Sequence, residues 1–366
     1  MSTPPSAPLP TRLQRLRHLL SPTRRAMLNS VAILLLLAAL RPEVPLLRPV
    51  HSFLFVVDIS MSMHTRDMRI DGEPATRAEA IRRSLTDTLR DLPCGTRAGL
   101  GIFAGYQTMV LYAPVEVCSH YNELASSVGK ISPQAIWASD SEIAKGIYNA
   151  IGFLEEGDRE TQLVFITDGH EAPPVSARYR PQFRGTVGAV KGWLVGVGEI
   201  AGSPIPKIDD RGRQVGVWRE AEVAQTDPYT AGRSTSGSSE KMVDIDASKI
   251  SADVEARLQA TPGREHLSQL RETYLKLLAE ELEFEYTRLS GGALLAAKLV
   301  SGNASAWRWV PTQLSQGLGA LAVVCLLLAY WRSNMNPVAW SVHWLSWPLR
   351  RWRSRKSAQQ KGATAF

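Results

Sequence analysis

The sequence predicts an α/β fold with a doubly wound, mainly parallel sheet, and three observations predict it. Wholly apolar runs of strand length recur along the chain, amphipathic stretches of helix length separate them, and two of the runs end on acidic and hydroxyl residues. Strands covered on both faces read as continuous apolar runs, whereas strands of a half-exposed antiparallel sheet alternate.

Taken in order, FLFVVD at 53–58 predicts a buried strand. ATRAEAIRRSLTDTLRDL at 75–92 places Ala78, Ile81, Leu85, Leu89 and Leu92 three or four residues apart, the spacing of one helix face. RAGLGIFAG and QTMVLYAPV predict two strands, and Gly105-Tyr106 between them is short enough for a hairpin. Helices are expected over 119–130 and 141–156, and strands in TQLVFITDG and GAVKGWLVGVG. The rhythm then breaks over about 199–262, where SPIPKIDDRGRQVGVWRE predicts a small β excursion and TDPYTAGRSTSGSSEK an exposed loop. HLSQLRETYLKLLAEELEFEY, 266–286, is expected to be one amphipathic helix on the sheet. The folded domain is therefore expected over 50–290, followed by a stalk at 291–308.

Charge distribution excludes a nucleic-acid binder. The 366 residues carry 42 Lys+Arg and 35 Asp+Glu, a net of +7. Residues 1–25 hold five Arg and residues 332–366 seven Lys/Arg, with no acid in either tail, so the tails carry +12 and the body −5. A mildly acidic body offers no phosphate-tracking surface. Three Cys are too few for a disulfide scaffold and lack the CxxC spacing of zinc sites.

Each basic tail borders an uncharged segment. AMLNSVAILLLLAAL, 15 residues between Arg25 and Arg41, predicts an anchor over 26–41 that is short for a bilayer. Its competitor is a cleaved signal peptide, although no clear small-x-small site follows the Leu run. The 23 uncharged residues 309–331 predict a transmembrane helix, with Trp307, Trp309, Tyr330 and Trp331 as interfacial aromatics. Basic flanks stay in the cytoplasm, so both termini are expected there and the domain on the far side, the periplasm of a bacterium with this protein in its inner membrane. Trp340, Trp344 and Trp347, followed by Arg350, Arg351, Arg353, Arg355 and Lys356, predict a helix lying on the inner membrane surface, as against a merely solvated basic tail.

The candidate chemistry sits where two apolar strands end. LFVV leads into Asp58-Ile59-Ser60-Met61-Ser62, and QLVFI into Thr167-Asp168-Gly169. In a parallel sheet both ends open on one edge, so Asp58, Ser60, Ser62 and Asp168 converge. Two carboxylates and two hydroxyls are hard oxygen donors, suited to Mg²⁺ first, or Ca²⁺ or Mn²⁺. His170 and Glu171 follow as neighbours of the site or as exposed loop residues, and Met61, Met63 and His64 sit at the same rim.

These motifs together resemble the von Willebrand factor A (vWA) family, over roughly residues 52–290. The resemblance implies a metal-ion-dependent adhesion site (MIDAS) built from a D-x-S-x-S strand end, a hydroxyl at the start of an intervening helix and an Asp after a later strand. Ser141 stands where the family has Thr, with Asp140 beside it as the alternative ligand. The implied metal set is thus Asp58, Ser60, Ser62, Ser141 and Asp168. Such a cage is incomplete, and a partner's acidic side chain would complete it. The vWA topology also places Cys94 and Cys118 together at the opposite edge. They are either a disulfide, whose 24-residue separation would contribute about 3 kcal/mol in the loop-entropy picture, or two free buried thiols. Cys325 lies in the second apolar segment and is expected to be unpaired.

Tethering between two anchors is similar to the Bat-type proteins and more closely to the MxaL-type proteins of methanol dehydrogenase maturation clusters. The residues behind the narrower likeness are LPCGTRAGLGIFAGY, APVEVCSHYNEL, SDSEIAKGIY and TDGHEAPP. It implies an assembly factor in calcium insertion, with a periplasmic client or sister vWA protein at the metal edge and a MoxR-type AAA+ ATPase as a cytoplasmic partner. A Bat-like stress-tolerance or adhesion role is the alternative. No HExxH, GxSxG or spaced Cys/His pair marks an enzyme, so a metal-dependent hydrolase is the remote reading.

Overall fold

The structure, a computed structural model, describes residues 22–131, 140–175, 180–209, 211–223, 252–258, 264–302 and 306–331. Residues 1–21 of the N-terminal basic tail, the C-terminal tail with its Trp340–Trp347 segment, and the TDPYTAGRSTSGSSEK stretch lie outside the described residues. The chain divides into two units, residues 47–309 and residues 1–46 with 310–366.

In chain order the elements are α1 (Pro22–Ala39), β1 (Glu43–Val50), β2 (Ser52–Asp58), a 3-10 turn (Met61–His64), β3 (Met68–Ile70), β4 (Glu73–Ala75) and α2 (Arg77–Asp91). They continue with β5 (Arg97–Ala104), β6 (Gln107–Glu116), α3 (Tyr121–Lys130), α4 (Ile143–Glu156), β7 (Gln162–Thr167) and β8 (Gly192–Gly196). Then come β9 (Ser203–Pro204), β10 (Pro206–Ile208), β11 (Gln214–Val217), α5 (Glu220–Val223), α6 (Ala252–Leu258) and β12 (Leu267–Ser268). The last are α7 (Glu272–Leu282), β13 (Glu285–Arg288), α8 (Gly292–Ser301), β14 (Ala306–Gln313) and α9 (Ser315–Trp331).

Six strands of the larger unit form one sheet in the order β13-β8-β7-β2-β5-β6. Every neighbouring pair is parallel except β5 with β6, the hairpin expected at Gly105-Tyr106. All seven residues of β2 are buried, because helices cover both faces of this central strand. Phe53, Phe55 and Val57 pack with Ile81, Leu85 and Leu89 of α2 and Leu124 of α3. Leu54 and Val56 point the other way, into Ile143, Ile147 and Ile151 of α4 and Leu277 and Leu278 of α7. The period-two alternation of strand side chains thus splits one apolar run between two cores. At the start of α2, Thr76 and Glu79 form a reciprocal capping box that fixes where the helix begins. The excursion after β8 contains the antiparallel pairs β10-β11 and β9-β12.

Three expectations are corrected. The helix expected over 266–286 is shorter, because Glu283 takes a left-handed conformation (φ 56°) and ends α7. The following Glu285–Arg288 become the edge strand β13, with Thr287 buried. The stalk expected at 291–308 is instead helix α8 and the start of β14. Leu295, Ala296 and Leu299 of α8 form an i, i+1, i+4 stripe that enters the core on the α2 side of the sheet. Its first residue must be glycine, since a Cβ at Gly292 would stand 2.4 Å from the Ser84 carbonyl oxygen of α2.

The third correction concerns the membrane spans. Residues 309–313 of the second apolar segment belong to β14, which leaves α9 with 17 residues. At 1.5 Å per residue this is about 26 Å, against a hydrocarbon core of about 30 Å. Among the described residues no helix is long and apolar enough to cross a membrane. In the smaller unit α1 and α9 pack on each other, and Leu35, Leu36, Val323 and Leu327 stay exposed.

Candidate metal centre

Parallel pairing of β2 with β7 brings their carboxyl ends side by side, and the site grows from those two ends. Asp58 closes β2. One carboxylate oxygen, Oδ1, accepts the Ser60 backbone N–H at 2.8 Å, and Oδ2 accepts the Thr167 hydroxyl at 2.7 Å. The 3-10 turn then folds Ser62 back, so the Ser60 and Ser62 hydroxyls lie 3.1 Å apart. Asp168 follows β7; its Oδ1 accepts the His170 N–H at 2.9 Å, and its Oδ2 accepts Ser268 Oγ at 2.7 Å and Arg77 Nη1 at 2.5 Å. Ser141 reaches the same edge by backbone pairing, bridging Gly105 at the β5-β6 turn and Ala172 in the loop after β7.

Electrostatics separates the two carboxylates. Burial, and then the negative charge of Asp168, push the Asp58 carboxyl up to about 7. Burial would also raise Asp168, but Arg77 above all, helped by His170 and Ser268, brings it below the usual carboxylate range. His170 is itself lowered to about 4 by burial, so its ring is neutral at pH 7.

The donor set fits a divalent cation. Asp58 is 1% exposed and takes part in none of the ion pairs among the described residues. Ser141 is buried and its hydroxyl has no hydrogen-bond partner among the described residues. A buried carboxylate without an ion pair and an orphaned hydroxyl at one edge are groups that a hard cation would satisfy. Asp140, the other candidate in that loop, is only half-buried.

Of the five sequence-derived ligands, Asp58, Ser60 and Ser62 are linked by hydrogen bonds and Asp168 neighbours them through Thr167. Ser141 shares their edge without a hydrogen bond to any of them. His170 and Glu171 are buried; Glu171 Oε1 accepts the Ala144 N–H at 3.0 Å and the Tyr274 hydroxyl at 2.6 Å. Met63 lies in the core, while Met61 and His64 stay half-buried at the rim.

Arg77 escaped the sequence reading. It is fully buried at the start of α2 and is bonded to Asp67 through Nε (3.0 Å) and Nη2 (2.5 Å) as well as to Asp168. The signal was present, because Arg77 stands in phase with Ile81 and Leu85 on the buried face of the helix. Gly198 makes room for it. That residue has φ 107°, and a Cβ there would lie 2.6 Å from Arg77 Nε.

At the opposite edge Cys94 and Cys118 form a disulfide with Cα atoms 5.3 Å apart. Glu116 lies close enough to make a three-ligand cluster with them, but the two sulfurs are bonded to each other. Cys325 is a free thiol.

Sheet order and strand-end carboxylates define the class: the larger unit is a vWA-like α/β domain with a mixed, mostly parallel sheet. Residues 53–170 match the family model of the von Willebrand factor type A domain. No curated protein matches the chain. Similar solved structures include an aerotolerance-related membrane protein from Bacteroides fragilis carrying multiple mutations to serine (16% identity, 69% of this chain and 97% of that one, TM-score 0.41). Others are a von Willebrand factor type A protein from Catenulispora acidiphila (10%, 69% and 41%, 0.34) and an uncharacterized membrane-spanning protein from Vibrio fischeri (15%, 69% and 97%, 0.26).

Proposed function

We propose that this protein is a membrane-attached binding module, without catalytic activity, whose vWA domain grips a partner through a divalent cation. The observation that carries the reading is Asp58, buried beside Asp168 and in no ion pair among the described residues. Asp58, Ser60, Ser62, Ser141 and Asp168 would hold Mg²⁺, or Ca²⁺ or Mn²⁺, through oxygen. The cation supplies a Lewis-acidic point for a partner's carboxylate. The hydroxyl donors are neutral, so they leave the bound ion with charge to offer an Asp or Glu of a client or sister vWA protein.

The disulfide supports placing the domain outside the cytoplasm, in the periplasm of a bacterium, since such bonds persist in oxidising compartments. The exposed Leu and Val side chains of α1 and α9 support attachment to the inner membrane, with the bilayer thinned around short helices or only partly entered. The likeness to MxaL-type proteins supports a narrower role in methanol dehydrogenase assembly, with a MoxR-type ATPase on the cytoplasmic side.

Calorimetric titration of the full chain with MgCl₂, CaCl₂ and MnCl₂ tests the core of this reading. Saturable binding that Asp58→Asn abolishes is expected, and no binding of any of the three ions would overturn it.

A further inference from the structure

Arg77 puts a permanent positive charge 2.5 Å from an oxygen of Asp168, one of the proposed cation ligands. A guanidinium does not deprotonate in proteins, so this charge cannot be relieved by losing a proton. Nor is the side chain free to swing away. Its three nitrogens donate to both oxygens of Asp67, to Asp168 Oδ2, and to the hydroxyl and carbonyl oxygens of Ser268. The backbone at Gly198 closes over it, and the neighbouring Glu199 N–H donates to the same Asp67 at 3.1 Å. Four separate segments, from the loop before β3 to β12, are thereby tied to one buried side chain.

Resting on the cation reading above, we infer that Arg77 is a built-in competitor of the divalent ion: it keeps Asp168 neutralised and the edge folded when no ion is present, and it weakens the ion that does bind. Two consequences follow from the charges. The cation-free domain is stable, because the carboxylate that would otherwise be buried alone is already paired. Bound cation is loose and exchangeable, because a divalent ion within several ångströms of a fixed unit charge loses on the order of tenfold in affinity even at water-like screening.

The test is calorimetric titration with MgCl₂ and MnCl₂ of the detergent-solubilised full chain at pH 8, comparing wild type, Arg77→Met and Arg77→Lys. Thermal melting in EDTA and in 10 mM MgCl₂ accompanies it. Arg77→Met is expected to bind at least about tenfold more tightly than wild type, to melt lower in EDTA, and to recover on adding Mg²⁺. Arg77→Lys keeps the charge and should return to within about threefold of the wild-type affinity. A purely structural arginine would lower the melting point without tightening the ion, so an affinity of Arg77→Met equal to or below wild type overturns the inference. Should Arg77→Met not fold even with Mg²⁺, Asp67→Asn decides: Asp168 is then the remaining ion-pair partner of Arg77 among the described residues and binding weakens several-fold, and unchanged binding counts against the inference. Binding by wild type but no tightening removes this inference alone; no binding by any form removes the cation reading with it.

Discussion

Asp58 and Asp168 are the same residue type, equally buried, and each sits at or just past the carboxyl end of a neighbouring parallel strand, yet their chemistry diverges. Asp168 is held ionised by Arg77, whereas among the described residues Asp58 receives only neutral donors and is pushed toward the protonated form. Burial alone does not set the state of a carboxylate; its counter-charge does. One end of the site is already neutralised by an arginine, and the other takes part in no ion pair among the described residues.

The largest expected effect comes from breaking the paired end. Asp168→Asn leaves Arg77 with Asp67 as its remaining ion-pair partner among the described residues, and loss of one member of a buried pair costs about 3 kcal/mol or more; chemical denaturation in EDTA measures it. Asp58→Asn should differ sharply. With no ion pair to lose, its cation-free stability at pH 8 is expected to stay within about 1 kcal/mol of wild type or to rise, while calorimetry finds the cation lost. If both substitutions destabilise equally, the asymmetry between the two strand ends is wrong.

The pH dependence sharpens the same contrast. Asp58 has its folded value raised, so its stabilising contribution is present below the ordinary carboxylate range and is lost as pH rises toward about 7. Asp168 has its value lowered, so its contribution is present above the ordinary range and lost as pH falls. A cation held as proposed would displace the Asp58 proton, so Mg²⁺ affinity is expected to climb as pH increases through about 7 and to level off above it, with protons released on binding. Titrations in buffers of different ionisation enthalpy at pH 6 and pH 8 measure that release. The smallest effect belongs to Ser141→Ala. Its hydroxyl has no protein partner among the described residues, so melting should be unchanged and cation affinity should fall a few-fold.

Legibility in the sequence followed the length of each signal. FLFVVD and QLVFIT are continuous apolar runs, and they became the paired central strands whose ends carry Asp58 and Asp168. Helix α2 emerged where its apolar spacing placed it. What stayed hidden was short or polar. Strand β13 is four residues long and directly follows a strong helix, and only the left-handed turn at Glu283 separates the two. Arg77 and Asp67 pair across ten positions, and Ser268 joins them from 191 residues beyond Arg77; no local pattern announces such a contact. Arg77 is nevertheless conspicuous as a charge on an apolar helix face, whereas nothing in Thr167-Asp168-Gly169 announces the Thr167 hydroxyl as a donor to Asp58.

Helix α8 has a bearing on how the domain is produced for study. Cutting a recombinant fragment at residue 290, where the sequence rhythm invites a cut, would strip Leu295, Ala296 and Leu299 from the packing around Ile81 and Leu85. The Thr88 hydroxyl would also lose the Gly292 carbonyl, although it would keep Ser84 as an acceptor. Such a fragment should expose a greasy trough along α2 and precipitate, whereas one continued past Ser301 retains its closing layer.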